Sequence, residues 1–298
     1  MLAVVFATIS GISYGASDFS GGLASKRSDP VAVTLAMQVA SLLALLAVLA
    51  VYRPGTLLGS DLLWGAAAGL GIAVGLSTFY EALALGPMST AASVTGLVGS
   101  LIPVGVGLTL GEVPGSLTLV GVALAVPAAL AVSVGGLARL GGGVDLGPRD
   151  RFRQRRRQAR TRTLALVAGI GFGSFFVALA QTSADGGLHP LLGARAAAIA
   201  ALVVAGAIRA RAGRWVAVDR GDLRAVVAAG LLDCSANSFY LLALDGGSLT
   251  WVAAVVSLYP VATVLLARLV LSERIVPVQT VGLVGAATAL VLVGIGAS

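Results

Sequence analysis

Gly11-Ile-Ser-Tyr-Gly-Ala16 returns as Gly169-Ile-Gly-Phe-Gly-Ser174, 158 positions later. Other fragments follow the same rule. Ala67-Ala-Gly-Leu70 returns as Ala228-Ala-Gly-Leu231, Phe79-Tyr80 as Phe239-Tyr240, Leu110-Gly-Glu112 as Leu271-Ser-Glu273, and Val120-Gly121 as Val281-Gly282. The offset stays between 158 and 161, so the chain is a duplication. Self-similarity at a fixed spacing constrains architecture before any single residue is interpreted. Residues 1–137 form the first copy and 163–298 the second, with an arginine-rich linker over 138–162.

Composition sets the solvent. The chain is 57% hydrophobic with a mean hydropathy of +0.97, and only 11% of its residues are charged. A soluble domain carries about 25% charge, so lipid must cover much of this surface. The 40 glycines suit membrane helices whose backbones approach closely. One cysteine, Cys234, excludes an internal disulfide and a cysteine-cluster metal site, and the single His189 argues against a histidine site. No cofactor is expected.

A spanning helix needs about 20 mostly apolar residues. Ten such runs occur, at 3–24, 31–52, 61–84, 88–109, 115–135, 163–183, 190–208, 223–244, 249–270 and 276–296. The first is not a cleaved signal, because it lacks a basic leader and its pattern recurs mid-chain. The expected fold is therefore an all-α integral membrane protein of ten transmembrane helices, arranged as two five-helix repeats. An odd number of spans per copy makes the repeats inverted.

Basic residues set the orientation. The connections after helices 1, 5, 7 and 9 hold 17 of the 20, which assigns loops 26–30, 138–162 and 209–224 to the cytoplasm and both termini to the outside. The run Arg149-Asp-Arg-Phe-Arg-Gln-Arg-Arg-Arg-Gln-Ala-Arg160 has no interleaved aromatic platform. It reads as a topogenic linker against anionic lipid, not as a nucleic-acid site. The expected location is the cytoplasmic (inner) membrane.

Several segments carry a family resemblance. They are Gly15-Ala-Ser-Asp18-Phe-Ser-Gly-Gly22, Tyr80-Glu-Ala-Leu-Ala-Leu-Gly-Pro-Met-Ser89, and Ser257-Leu-Tyr-Pro260 followed by Leu271-Ser-Glu273-Arg274. In order and spacing they resemble the EamA-like branch of the drug/metabolite transporter superfamily. The resemblance implies export or exchange of small metabolites without naming one. The copies also diverge. Pro103 precedes Glu112 by nine residues, whereas Pro260 precedes Glu273 by thirteen; Asp18 is matched by Phe176, and Glu81 by Leu241.

Charge inside a span is costly and normally faces the bundle interior. Asp233, Asn237 and Tyr240 share one face of helix 8, as Tyr14 and Asp18 do on helix 1. Phe172 and Phe176 form an apolar face on helix 6. Tyr80 and Glu81 on helix 3, Ser93 and Ser100 on helix 4, and Ser257 and Tyr259 on helix 9 complete the candidate cavity set. Helices 1, 3, 4, 6, 8 and 9 are expected to surround the cavity, with 5 and 10 outside. Asp18 either binds a ligand or proton, or pairs with Lys26 or Arg27. Glu81 either contacts substrate or snorkels to an interfacial ion pair. Arg195 reads as the neutraliser of Asp233 on the adjacent helix, and Glu112 and Glu273 read as caps or loop anchors.

These readings favour a secondary or facilitative transporter working by alternating access on a small solute such as an amino acid, nucleoside or drug-like compound. If protons couple to transport, Asp233 and Asp18 are the carboxylates to carry them. Catalytic residues and metal ligands are not expected. The partners are solute and lipid, with the chain as a monomer or homodimer. No Walker lysine follows any glycine run, which excludes ATP drive by this chain alone. A membrane enzyme on lipid-linked substrates and a channel are the alternatives.

Overall fold

Apolar runs without backbone partners elsewhere must satisfy their own N–H and C=O groups in lipid, and a helix does so within one segment. The computed structural model describes residues 2–52, 55–85, 88–138, 148–271 and 277–296, and all of its regular structure is helical. In chain order the α-helices are α1 (Leu2–Ala24), α2 (Pro30–Val51), α3 (Gly59–Leu85), α4 (Met88–Thr109), α5 (Ser116–Ala138) and α6 (Pro148–Leu179). There follow α7 (Pro190–Arg211), α8 (Leu223–Leu244), α9 (Leu249–Val256), α10 (Tyr259–Leu271) and α11 (Pro277–Gly296). Among the described residues, eight helical runs are long and apolar enough to cross a membrane. The apolar parts of α4 and α5, Val94–Thr109 and Ser116–Ala125, are shorter. The chain is a multi-pass membrane protein.

Two boundaries differ from the sequence expectation. The linker assigned to 138–162 becomes helical at Pro148, and α6 runs unbroken for 32 residues from the arginine-rich segment into the apolar one. Arginine is a good helix former, so charge ends the apolar run without ending the helix. The ninth span, expected as one helix, is α9 and α10 separated at Ser257 and Leu258. Pro260 cannot donate a backbone bond, and the Ser257 hydroxyl instead donates to the Ala254 carbonyl at 2.7 Å.

The helices pair across the two copies. α1 packs on α8 and α3 on α6; α4 packs on α6 and α9 on α1; α2 meets α8 and α7 meets α3, while α5 lies against α11. Exchanging the halves maps the first six onto one another in three couples and the α5–α11 pair onto itself. Two matched aspartates, Asp61 and Asp222, each contact the other half, through partners that are not matched. Asp61, before the apolar part of α3, accepts from the Ser183 amide and hydroxyl at 3.1 and 2.8 Å. Asp222, 161 residues on and just before α8, faces Arg27 at 3.8 Å.

Close backbone approach holds these pairs, since lipid tails give helices little hydrophobic reason to associate. A Cβ on Gly65 or Gly69 of α3 would overlap the carbonyl of Pro190 or Ala194 on α7, and one on Gly193 would overlap that of Leu62. Gly71 and Gly171 bring α3 and α6 together in the same way. Large apolar side chains such as Leu43, Leu63, Val204 and Val284 point outward, as a lipid-facing surface requires.

Overpacking a tight contact costs about 1–3 kcal/mol. Gly69→Val is therefore expected to lower the melting temperature of the purified protein clearly. Gly105→Ala, whose added methyl meets nothing within 4 Å, should leave it close to the parent value. Equal melting temperatures for the two variants would contradict this packing.

Candidate functional site

The two halves of the chain meet around a small, partly open pocket, whose empty space together with the solvent at its mouth is about 330 Å³. Tyr14 and Asp18 of α1, Ile72 and Leu76 of α3, Phe172 and Phe176 of α6, Asp233 of α8 and Tyr259 of α10 line it. Most of these positions are related by the duplication. Tyr14 matches Phe172 and Asp18 matches Phe176 at an offset of 158, and Ile72 matches Asp233 at 161. The site therefore sits where the copies face each other, with different chemistry at matched positions. Of the helices expected to surround it, α4 contributes no lining residue among those described.

Local packing explains how each wall is held. On α1, Ser10 and Ser17 donate to the carbonyls of Ala236 and Ala229 on α8, both at 2.8 Å. These bonds fix the rotation of α1 and turn Tyr14 and Asp18 inward. Gly15 lets α1 lie on the Tyr259 carbonyl, and Thr263 donates to the Gly15 carbonyl at 3.1 Å. On the opposite wall the Phe176 ring meets Tyr14 edge-on at 5.7 Å and Tyr240 at 4.8 Å. The Tyr240 hydroxyl donates to the Phe176 carbonyl at 3.0 Å, so Tyr240 supports the wall from behind.

A buried polar chain runs from the cavity into the bundle. The Tyr14 hydroxyl donates to Asn237 Oδ1 at 2.7 Å, and Asn237 Nδ2 donates to Asp233 Oδ1 at 3.1 Å. Asp233 Oδ2 accepts from Ser41 at 3.0 Å and lies 2.8 Å from Arg195 Nη2, an ion pair without hydrogen-bond alignment. Arg195 Nη1 donates to Gln38 Oε1 at 2.6 Å. Arg195 is fully buried, so the neutralisation of Asp233 expected from sequence is present. The helices are arranged differently, however. α2 lies between α7 and α8 and supplies Gln38 and Ser41, neither of which the sequence reading selected. Their signal was there: two polar residues, three apart, on an otherwise apolar helix.

Asp18 is the contrasting case. It is 4% exposed and has neither hydrogen-bond nor ion-pair partner among the described residues. Of the two cations proposed for it, Arg27 instead faces Asp222. The Tyr259 hydroxyl, on the same cavity wall, is also buried without a partner.

Other sequence candidates lie elsewhere. Tyr80 is buried beneath Gly21, with its hydroxyl 3.1 Å from the Met37 sulfur. Ser100 and Ser257 bond carbonyls one turn back on their own helices, and the Ser93 side chain lies outside the described residues. Glu81 belongs to a charged layer at one end of the bundle. Arg209 bridges Asp29 at 2.8 Å and Glu81 at 2.9 Å, Arg160 also pairs with Glu81, and Arg157 donates to the Leu85 carbonyl. Glu112 is an anchor: its carboxylate accepts from the Leu249 and Thr250 amides at 2.9 and 2.8 Å, capping α9. Glu273 lies outside the described residues.

Residues 160–295 match the EamA-like transporter family. The second half of the chain carries that family's pattern, consistent with the drug/metabolite transporter superfamily. No curated protein matches the chain. A crystal structure described only as that of a protein aligns with a TM-score of 0.64 at 15% identity, covering 96% of this chain and 98% of that one. At that identity the likeness is one of fold, and it extends over both halves.

Removing one member of a buried ion pair costs about 3–5 kcal/mol, because the other charge is left unmatched. Arg195→Leu and Asp233→Leu should each lower the melting temperature strongly, and the double variant should recover much of the loss. Additive losses in the double variant would show that the pair is not coupled. Asp233→Asn should likewise cost stability, contrary to a purely functional role.

Proposed function

We propose that this chain is a secondary or facilitative transporter that moves a small solute across the cytoplasmic membrane by alternating access. The observation that carries the reading is the cavity itself, which lies between the two halves, is lined largely by positions matched between them, and holds the unpartnered Asp18 carboxylate. In carriers made of inverted repeats, the binding site lies at the repeat interface near the midplane, and the halves rock around it. The pairing of helices, invariant to exchange of the halves, supports two inverted five-helix repeats over 1–137 and 163–298. On this count α4 and α5 are the fourth and fifth spans, and α9 with α10 together make the ninth. The break between α9 and α10, beside Tyr259, is the kind of interruption that transporters place at a cavity.

Small glycine-mediated contacts suit rocking, because smooth surfaces can slide without unlocking large side chains. The charged layer around Arg209 lies at the end rich in basic loops, which the positive-inside rule assigns to the cytoplasm. Asp233 is already matched by Arg195. Asp18 is then the carboxylate whose charge must be met by a proton or by the solute.

Reconstituted in liposomes, the protein should show saturable movement of a solute that stabilises it thermally. Asp18→Asn should reduce that movement by at least about tenfold, a change of about 1.4 kcal/mol in barrier height, with the melting temperature retained. Unsaturable conductance in a planar bilayer would instead indicate a channel. For orientation, single cysteines at Arg156 and Arg211 in a Cys234→Ala background should react with an impermeant thiol reagent only after permeabilisation. Reaction in intact cells would reverse the topology.

A further inference from the structure

We propose that the cavity binds an organic ammonium ion: a solute with one positive charge on an aromatic or branched apolar body. This deepens the transporter reading and rests on it for the site's purpose, though not for its chemistry.

Three observations lead there. The first is a charge count. Among the described residues two carboxylates line the cavity, Asp18 and Asp233, and no lysine, arginine or histidine does. Arg195, approaching Asp233 from behind, matches one of them. Asp18 remains, with no partner among the described residues, so the cavity holds one carboxylate that no cation of its walls answers. An anion meets no positive group there, and a cationic solute would supply the opposite charge that the apolar wall does not.

Second, the remaining wall is aromatic and aliphatic. Tyr14, Phe172, Phe176 and Tyr259 stand around Asp18, with Ile72 and Leu76 closing the side. Ring faces attract cations electrostatically, most strongly where water is excluded. The same rings accept the apolar body of the solute. The carboxylate and the rings therefore select for the two parts of one amphipathic cation.

Third, Tyr259 has a buried hydroxyl without a partner. The Tyr14 hydroxyl is already committed to Asn237, so the two phenols are not equivalent. Tyr14 offers its ring, while Tyr259 offers both a ring and a free hydrogen-bonding group. An ammonium N–H or a second polar group on the solute would satisfy it.

The test uses the purified full-length protein in detergent and four probes on one skeleton: phenethylamine, its trimethylammonium analogue, phenethyl alcohol and phenylacetate. Binding is measured by isothermal titration and thermal shift. Both cations are expected to bind and stabilise the protein, at least about tenfold more tightly than the alcohol, with no binding of phenylacetate. Asp18→Asn should weaken cation binding by at least about tenfold and leave the alcohol's binding unchanged. Should Asp18→Asn fail to fold, Asp18→Glu must still prefer the cations. Tyr259→Phe should weaken phenethylamine more than the trimethylammonium probe, which has no N–H to offer. Equal binding of the alcohol would mean that Asp18 stores a proton, not a cation, and would overturn the proposal. Binding of phenylacetate, or of neither cation, would overturn it as well. Binding at equilibrium needs no translocation, so the two readings fail separately. A protein that binds the cations and moves none of them keeps the site and loses the carrier. Saturable transport of anions without cation binding does the reverse.

Discussion

Inside hydrocarbon there is no water to take up an unmet polar group, so a side chain that cannot bond its own helix must find its partner on another. In this protein that requirement decides which helices are neighbours. Arg195 reaches Asp233 only because α2 fits between α7 and α8 and brings Gln38 and Ser41 to the pair. Ser10 and Ser17 fix α1 against α8 by donating to its carbonyls. Tyr14 closes the set by donating to Asn237. Loss of any of these contacts would leave charge or dipole in lipid, so together they determine the bundle more tightly than apolar matching can.

The same requirement makes Asp18 stand out. Other buried or half-buried carboxylates have an answer: Asp233 has Arg195, Asp29 and Glu81 share Arg209, and Asp61 has Ser183. A buried carboxylate left without one is expensive, and such costs are normally offset by function. The cost is local, because the surrounding helices are held by contacts that do not involve Asp18. The glycine interfaces of α3 with α6 and α7 need only small surfaces, which leaves the cavity wall free to carry chemistry that packing alone would reject.

Much of this was legible in the sequence, and the reasons are specific. The duplication was visible because the repeated fragments are glycine-rich helix contacts, where only small residues fit. The faces of α1, α6 and α8 were visible because helical periodicity puts Tyr14 beside Asp18, Phe172 beside Phe176, and Asp233 beside Asn237. Placing α2 between α7 and α8 was not possible, because periodicity describes one helix at a time: Gln38 and Ser41 mark a polar spot on α2 without naming the helix it meets. The helical continuation of α6 into the arginine segment was missed for a different reason: apolar runs end where charge begins, whereas helices do not. Glu81 could be read either way from its position near a helix end. In the structure two arginines from distant segments pair with it.

The duplication also bears on how specificity can coexist with movement. Tyr14 and Phe172, Asp18 and Phe176, and Ile72 and Asp233 occupy matched positions, and all line the cavity. On the proposed alternating-access reading, matched backbones would keep the cavity at the junction of the halves, because each half could adopt the other's shape. Matched side chains would make the two walls alike and place two uncompensated carboxylates in one small space, where like charges disfavour each other's ionisation. Replacing one copy of the carboxylate by Phe176 avoids that conflict. It leaves a single unpartnered carboxylate against an aromatic wall, and the second acid, Asp233, enters on a different helix with its own arginine. The matched backbones are what the proposed motion would need, and the unmatched side chains are what set one wall of the cavity apart from the other.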